Sequence, residues 1–255
     1  MPLIMVKSMT NKSVYAHLDI RNFFAACEQY LNPEYRGKPV VIYNEGSNGI
    51  QKIIAASKDA KEKYRISRDT SIDRAKRIPD VILIKTRREE YEKIADQLYQ
   101  KCRNYVEKEG YSISKPHIDD IVIKLPNDLG VAITLTRKVE ELCKEFDFNL
   151  AIGISFNEDY AHIATKLSKK YGLIYFGNGF ARRVIYRLPV IEFPQIGPKR
   201  KEKLNQAGIC TIGDIANSAL DLIMATLGKR IGMKIYCSIL DIEPNDAQLE
   251  LFGKG

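Results

Sequence analysis

Short apolar stretches alternate with amphipathic ones along most of this chain, and their order restricts the fold more than any other feature. Residues 14–20, VYAHLDI, read as a strand, and the FFAACEQYL that follows sets Phe23, Phe24, Cys27 and Leu31 at helical spacing. RGKPVVIY and KIIAAS predict two strands joined by a Gly/Asn/Ser loop, and DAKEKYRISRDTSIDRAKRI two short, basic helices separated by a break. VILIK is a strand, residues 87–109 a long amphipathic helix, and YSIS, KPHIDD and IVIKL a hairpin. A helix over 129–145, a strand LAIGIS, a helix over 158–170 and a strand LIYF complete the pattern. With the segment between Arg36 and Lys85 set aside as an insertion, the order is β-α-β-β-α-β. That order predicts an α+β, ferredoxin-like domain: an antiparallel sheet with helices on one face. From about Pro189 short helices punctuated by Gly and Pro predict a separate all-α domain, with a boundary near 188–192.

Of 255 residues, 45% are hydrophobic and 28% charged, a composition that excludes a disordered chain and suffices for one large domain or two smaller ones. Forty Lys and Arg against 32 Asp and Glu give a net charge of +8, which favours a polyanionic partner such as nucleic acid. No apolar run approaches the ~20 residues that span a bilayer. The N-terminal MPLIMVKSMTNKS lacks the charged-then-apolar order of a signal peptide, so a cytoplasmic protein is expected. Five irregularly spaced cysteines, without a C-x-x-C pair, read as reduced core thiols.

The chemistry begins with PHIDDIVIKL, residues 116–125. In a regular strand Asp119 and Asp120 would face opposite sides, so both can serve one site only if the backbone turns, and Lys115-Pro116 is the place for it. With Asp19 from another strand end they would form a hard oxygen site suited to Mg²⁺. Three carboxylates in one cleft repel unless cations neutralise them, and two Mg²⁺ ions about 3.5–4 Å apart meet that need in nucleotidyl transfer. Spacing alone also allows solvated turn residues, since Asp favours turns. Lys58 and Lys61 at the head of one helix, with Lys169 near the end of another, could hold a triphosphate; a solvated charged face is the alternative. In PQIGPKRKEKLNQAGI, the Ile196-Gly197 turn enters a helix with Lys199, Arg200 and Lys203 close by, a pattern that grips a phosphate backbone or merely connects helices. Of Phe23 and Phe24, adjacent on one helix, one can pack in the core while the other lines a pocket near Asp19.

Taken together, LDIRNFFAACEQYLNPEYRGKPVVI resembles the opening motif of Y-family (translesion, DinB/UmuC-type) DNA polymerases, and NPEYRGKPVV is highly specific to it. AASKDAKEKYRI resembles the family's finger motif and HIDD its second catalytic motif. AIGISFNEDYAHIATKLSKKYG is similar to the last palm motif, and FPQIGPKRKEKLNQAGICTIGDI to the thumb's helix-hairpin-helix. The resemblance implies a ferredoxin-like palm (1–35 and 86–188) with a small fingers insertion (36–85). An all-α helix-hairpin-helix thumb (189–243) and a tail (244–255) would follow. It implies that Asp19, Asp119, Asp120 and the carbonyl of Ile20 hold two Mg²⁺ ions, with Mn²⁺ as a substitute. Phe24 would be the steric gate beneath the incoming sugar, and Lys169 would contact the triphosphate. The expected activity is error-prone, weakly processive translesion synthesis on primer-template DNA with dNTP.

Several positions depart from the family pattern. Ser-h-Asp-Glu is here His117-Ile118-Asp119-Asp120, the finger Tyr and Arg are Lys58 and Lys61, and Arg21 is a cation beside the first carboxylate. The family's little finger, roughly a hundred residues, is expected to be absent after EPNDAQLELFGKG. Gln248, Leu249, Leu251 and Phe252 resemble the Q-L-x-L-F pentapeptide that docks on a bacterial sliding clamp. These features support a second expectation: a catalytically impaired accessory subunit that binds DNA, the clamp or another polymerase. A basic ferredoxin-like RNA-binding protein is a third, weakened because LAIGIS and VILIK offer no exposed aromatics.

Overall fold

A computed structural model describes residues 13–171 and 173–242. Strand β1 (Ser13–Ile20) buries Val14, Ala16, Leu18 and Ile20 at alternate positions and feeds α1 (Phe23–Leu31). The insertion comprises β2 (Val40–Glu45), β3 (Gln51–Ala56), α2 (Lys58–Tyr64), α3 (Ile72–Lys76) and β4 (Ile82–Lys85). Next come α4 (Arg88–Lys108), β5 (Ser112–Ser114), β6 (Asp120–Pro126), α5 (Leu129–Lys144), β7 (Leu150–Ser155), α6 (Glu158–Tyr171) and β8 (Ile174–Phe176). Helices α7 (Asn178–Ile185), α8 (Pro198–Gln206), α9 (Ile212–Asn217), α10 (Leu220–Leu227) and α11 (Lys229–Leu240) follow. Helix α7 was not foreseen in the periodicity.

The larger sheet has the order β5-β6-β1-β7-β8, so β1 lies between β6 and β7 as a split β-α-β arrangement requires. One edge corrects the wholly antiparallel expectation. β7 and β8 run parallel, Gly153 opposite Ile174 and Ser155 opposite Phe176, because α6 crosses over between them. The smaller sheet, β3-β2-β4, pairs β2 antiparallel with β3 and parallel with β4.

Two compact units can each be described by itself: residues 18–123 with 133–151, and the described residues of 1–17, 124–132 and 152–255. β1, β6, β7 and α5 contribute residues to both. In the former, Val41, Ile53, Ala56, Ala60, Ile66 and Ala75 form a small core between the three-stranded sheet and α2 and α3. In the latter, one core runs from Phe156 and Tyr160 through Ile185 and Phe193 to Ile239, so α6, α7 and the C-terminal helices share apolar neighbours. There Gly208, just past the Ala207 cap of α8, takes a φ of +77 and turns the chain toward α9 at low steric cost. Thr211 and Asp214 then close a reciprocal capping box on α9.

Cys27, Cys102, Cys143 and Cys237 are buried as expected, but Cys210 is exposed, which corrects the all-core reading of the thiols. No helix among the described residues is long and apolar enough to cross a membrane. The clamp-like residues Gln248, Leu249, Leu251 and Phe252 lie outside the described residues.

Candidate active site

Strand β1 delivers Asp19 to its last turn of pleat, half-buried, and two backbone hydrogen bonds hold that end in place. The Ile20 N–H donates to the Asp119 carbonyl at 2.9 Å, and the Arg21 N–H donates to the Asn149 carbonyl at 2.8 Å. Asn22 then adopts a left-handed conformation, φ 57, which Asn tolerates better than most residues and which redirects the chain into α1. The hairpin corner resolves the problem of two adjacent carboxylates. Asp119 lies in the turn after β5, and only Asp120, buried, begins β6, so the two are not bound to opposite faces of one strand.

Electrostatics couple these groups. Burial raises the proton affinity of Asp119 above the usual carboxylate range, the Asp120 charge raises it further, and Asp19 adds a smaller increment. A backbone hydrogen bond and His117 act in the opposite sense. The His117 Nδ1 lies 2.9 Å from Asp120 Oδ2, with the imidazole mostly exposed and the carboxylate nearly enclosed. Among the described residues no three His, Cys, Asp or Glu side chains converge tightly enough to cage an ion. That does not conflict with the mutual influence of the carboxylates, because charge is felt well beyond coordination distance. The donor set fits Mg²⁺, which is usually held by one or two carboxylates plus substrate phosphates and water rather than by an all-protein cage. Asp19, Asp119, Asp120 and the Ile20 carbonyl are hard oxygen donors of this kind.

The two phenylalanines divide as their adjacency requires. Phe23 is buried edge-on against Phe148, ring centroids 5.7 Å apart, and anchors α1. Phe24 is half-buried and stacks on Tyr91, centroids 5.1 Å apart. Behind that stack stands a network that sequence reasoning missed. The Tyr91 hydroxyl donates to Glu28 Oε1 at 2.6 Å, Arg87 Nε donates to the same oxygen at 3.0 Å, and Arg87 Nη2 donates to Glu28 Oε2. Glu28, one helical turn beyond Phe24, is completely buried. Glu28 also draws the Arg87 proton affinity upward, and burial followed by Glu28 does the same for the Tyr91 hydroxyl. A carboxylate on the apolar face of FFAACEQYL was the available signal. Glu28→Ala would strand a hydroxyl and a guanidinium. Because Arg87 is 47% exposed, the expected loss is about 2–4 kcal/mol, below the range for a fully buried pair, and urea unfolding measures it.

Helix α2 carries the basic pair. Buried Ser57 caps it: its Oγ accepts from the Ala60 and Val40 N–H groups at 3.2 and 3.0 Å and donates to the Lys38 carbonyl at 3.1 Å. Lys61 donates to Asn22 Oδ1, three residues after Asp19, whereas Lys58 pairs with Glu62 of its own helix at 3.9 Å. Of the two, Lys61 is brought to the site. Lys169 is exposed near the end of α6 and belongs to the other unit. In that unit Ile196 is buried, Gly197 caps α8 and Lys199 and Lys203 are exposed. Arg200 commits one donor to the Gln195 carbonyl at 2.7 Å, tying down the turn before α8.

Residues 18–166 match the impB/mucB/samB family. The chain is similar to DNA polymerase IV 2 of Agrobacterium fabrum, 28% identical over 215 residues, covering 84% of this chain and 59% of that protein. It is also similar to DNA polymerase IV of Streptococcus pyogenes, 30% identical over 205 residues, covering 78% and 55%. The chain thus spans little more than half the length of these relatives. The insertion ternary complex of Dbh DNA polymerase shares the fold with a TM-score of 0.76 at 23% identity, over 91% of this chain and 69% of that one. The motif order, the hairpin corner that sets Asp119 beside β1, and the match over 18–166 agree: the chain belongs to the impB/mucB/samB family, whose expected palm order it displays.

Proposed function

We propose that this chain catalyses template-directed transfer of deoxynucleotides to a primer 3′-OH, in error-prone translesion synthesis. The observation that carries this reading is the half-buried Asp119 at the hairpin corner that bonds the end of β1, its proton affinity raised by desolvation, by Asp120 and by Asp19. Such an arrangement opposes folding stability and is the kind of arrangement found where charge has to be managed during a reaction. When bound, a pair of Mg²⁺ ions, or Mn²⁺ in their place, would stabilise charge on the attacking and leaving oxygens. Asp19, Asp119, Asp120 and the Ile20 carbonyl would hold them. Phe24, stiffened by Tyr91, would lie beneath the sugar and exclude a 2′-OH. Phe23 would fix the helix that presents it. Lys61, with Lys58 and Lys169, would neutralise the triphosphate, and the Ile196-Gly197 turn with Lys199, Arg200 and Lys203 would grip duplex backbone. Under this reading residues 1–35 and 86–188 are the palm, 36–85 the fingers and 189–243 the thumb. The tail 244–255 would dock on a sliding clamp through Gln248, Leu249, Leu251 and Phe252.

Primer extension with Mg²⁺ or Mn²⁺ tests the proposal. Incorporation that follows the template base is expected. None at high protein and low salt, even with Mn²⁺, removes the enzyme reading and leaves a DNA- or polymerase-binding accessory subunit. Phe24→Ala should reduce the preference for dNTP over rNTP, by on the order of a hundredfold if the ring acts by shape alone, with dNTP incorporation less affected. Competing single-nucleotide incorporations measure that ratio.

A further inference from the structure

We infer that the open cavity lined by α2, α3 and the turns that follow them binds the phosphodiester backbone of single-stranded DNA and holds unpaired template ahead of the primer terminus; the template role rests on the polymerase reading above. The cavity measures about 720 Å³ and is lined by Lys63, Arg65, Arg74 and Arg77, with Asp73 the one carboxylate. Three of its four cations are guanidinium groups, which remain charged at any working pH and match phosphate oxygens with two parallel donors. Among the described residues Arg65, Arg74 and Arg77 make no ion pair. Arg74 donates to the Tyr64 carbonyl at 3.4 Å, which ties α3 to the end of α2.

The wall is held in place. Asp80 accepts from Lys63 at 2.8 Å and from the Tyr64 hydroxyl at 2.6 Å, so its charge is spent and the Tyr64 ring is fixed at the rim. Arg65 is itself unusual, since it caps α2 in the left-handed conformation, φ 55, where glycine would be least strained. Retaining an arginine there puts a guanidinium at the cavity at a conformational cost. A space of this size is too large for a lone phosphate, and arginines beside an aromatic rim are the combination that holds single strands: cations along the backbone and a ring for a base. Position supports the template over other single strands. Lys61, four residues and about 6 Å along the helix from Arg65, bonds Asn22 beside Asp19. A strand leaving the candidate active site along α2 is therefore led toward Arg65 at the cavity.

The test measures binding of the full chain to a labelled primer-template carrying a ten-nucleotide 5′ template overhang, and to one with a single-nucleotide overhang, across a salt series. The wild-type protein should prefer the long overhang by about tenfold at low salt. Arg65→Ala/Arg74→Ala/Arg77→Ala should lose that preference, lower the salt slope for the long overhang by about two, and leave short-overhang binding unchanged. Arg77→Gln alone, at an exposed position, should lose part of the preference and guards against misfolding of the triple variant. Tyr64→Leu should weaken long-overhang binding without changing the slope. An overhang preference and slope unchanged in both Arg variants, with wild-type melting, would overturn the assignment. So would tripolyphosphate raising the melting temperature of the wild type but not the triple variant while overhang binding stays equal, since that marks a free-polyphosphate site. A protein that keeps the overhang preference but incorporates no nucleotide would sink the polymerase reading and its template role while sparing the strand site.

Discussion

Asp119→Asn should reduce nucleotide incorporation by two to three orders of magnitude or more while leaving the protein at least as stable as before. The loss has the scale of removing one preorganised stabiliser of transition-state charge: the amide keeps the shape of the carboxylate but not the charge that retains a divalent ion. The stability claim follows from what raises the proton affinity of Asp119. Burial, then Asp120, then Asp19 raise its proton affinity in the folded state above that of the unfolded chain. The folded state therefore binds more protons between the two values, and stability falls as pH climbs through that window, from the ordinary carboxylate range upward. Asparagine has no proton to lose there. Its advantage in metal-free buffer should be full above the window and vanish below it. Single-turnover incorporation and thermal melts at neutral and acidic pH measure both halves. A variant that retains a tenth of the activity would show that Asp119 is not where the charge is needed. One that melts lower at neutral pH would contradict the repulsion among the three carboxylates.

That cluster shows which parts of the site are legible in a sequence. Asp19 was readable because VYAHLDI alternates regularly and ends at the acid, and Asp119 and Asp120 because Lys115-Pro116 marks a break just upstream. What a reading of periodicity could not supply was the division of labour at that corner, with one acid in the turn and the next in the strand. The aromatic pair was readable as a pair, but the support of Phe24 was not. Glu28, Arg87 and Tyr91 come from two helices separated by the whole insertion, and no local spacing joins them. The same limit explains β8. A three-residue strand carries too little pattern to declare its direction, which is set instead by the α6 crossover. In the insertion, the basic character of DAKEKYRISRDTSIDRAKRI was plain, yet that Arg65, Arg74 and Arg77 line one cavity depends on the left-handed turn at Arg65, a conformation that residue type argues against.

Gly153→Ala should cost at least about 3 kcal/mol and lower the melting temperature by roughly 6–12 °C, enough to reduce the soluble yield. Gly153 lies in the middle of LAIGIS, where a β-branched or aliphatic residue would ordinarily serve the strand better. Here a glycine is demanded by proximity. A Cβ at this position would stand 2.2 Å from the Thr165 nitrogen and 2.3 Å from the Ala161 carbonyl oxygen, both backbone atoms of α6. Neither can rotate aside as a side chain could, so α6 would have to move bodily away from β7. That movement would also disturb Thr165, whose hydroxyl bonds the His17 carbonyl at 2.8 Å and the Ala161 carbonyl at 2.9 Å. The matched control is Gly179→Ala in α7, where an added Cβ meets nothing within 4 Å and the substitution should be neutral or stabilise by up to about 1 kcal/mol. Both variants add one methyl group in place of a hydrogen, so the difference between their melts isolates the close approach of strand and helix from the general effect of replacing glycine. Equal melting temperatures would mean that β7 and α6 are not packed backbone to backbone. The helix that carries Lys169 would then be held to the strand by side chains alone.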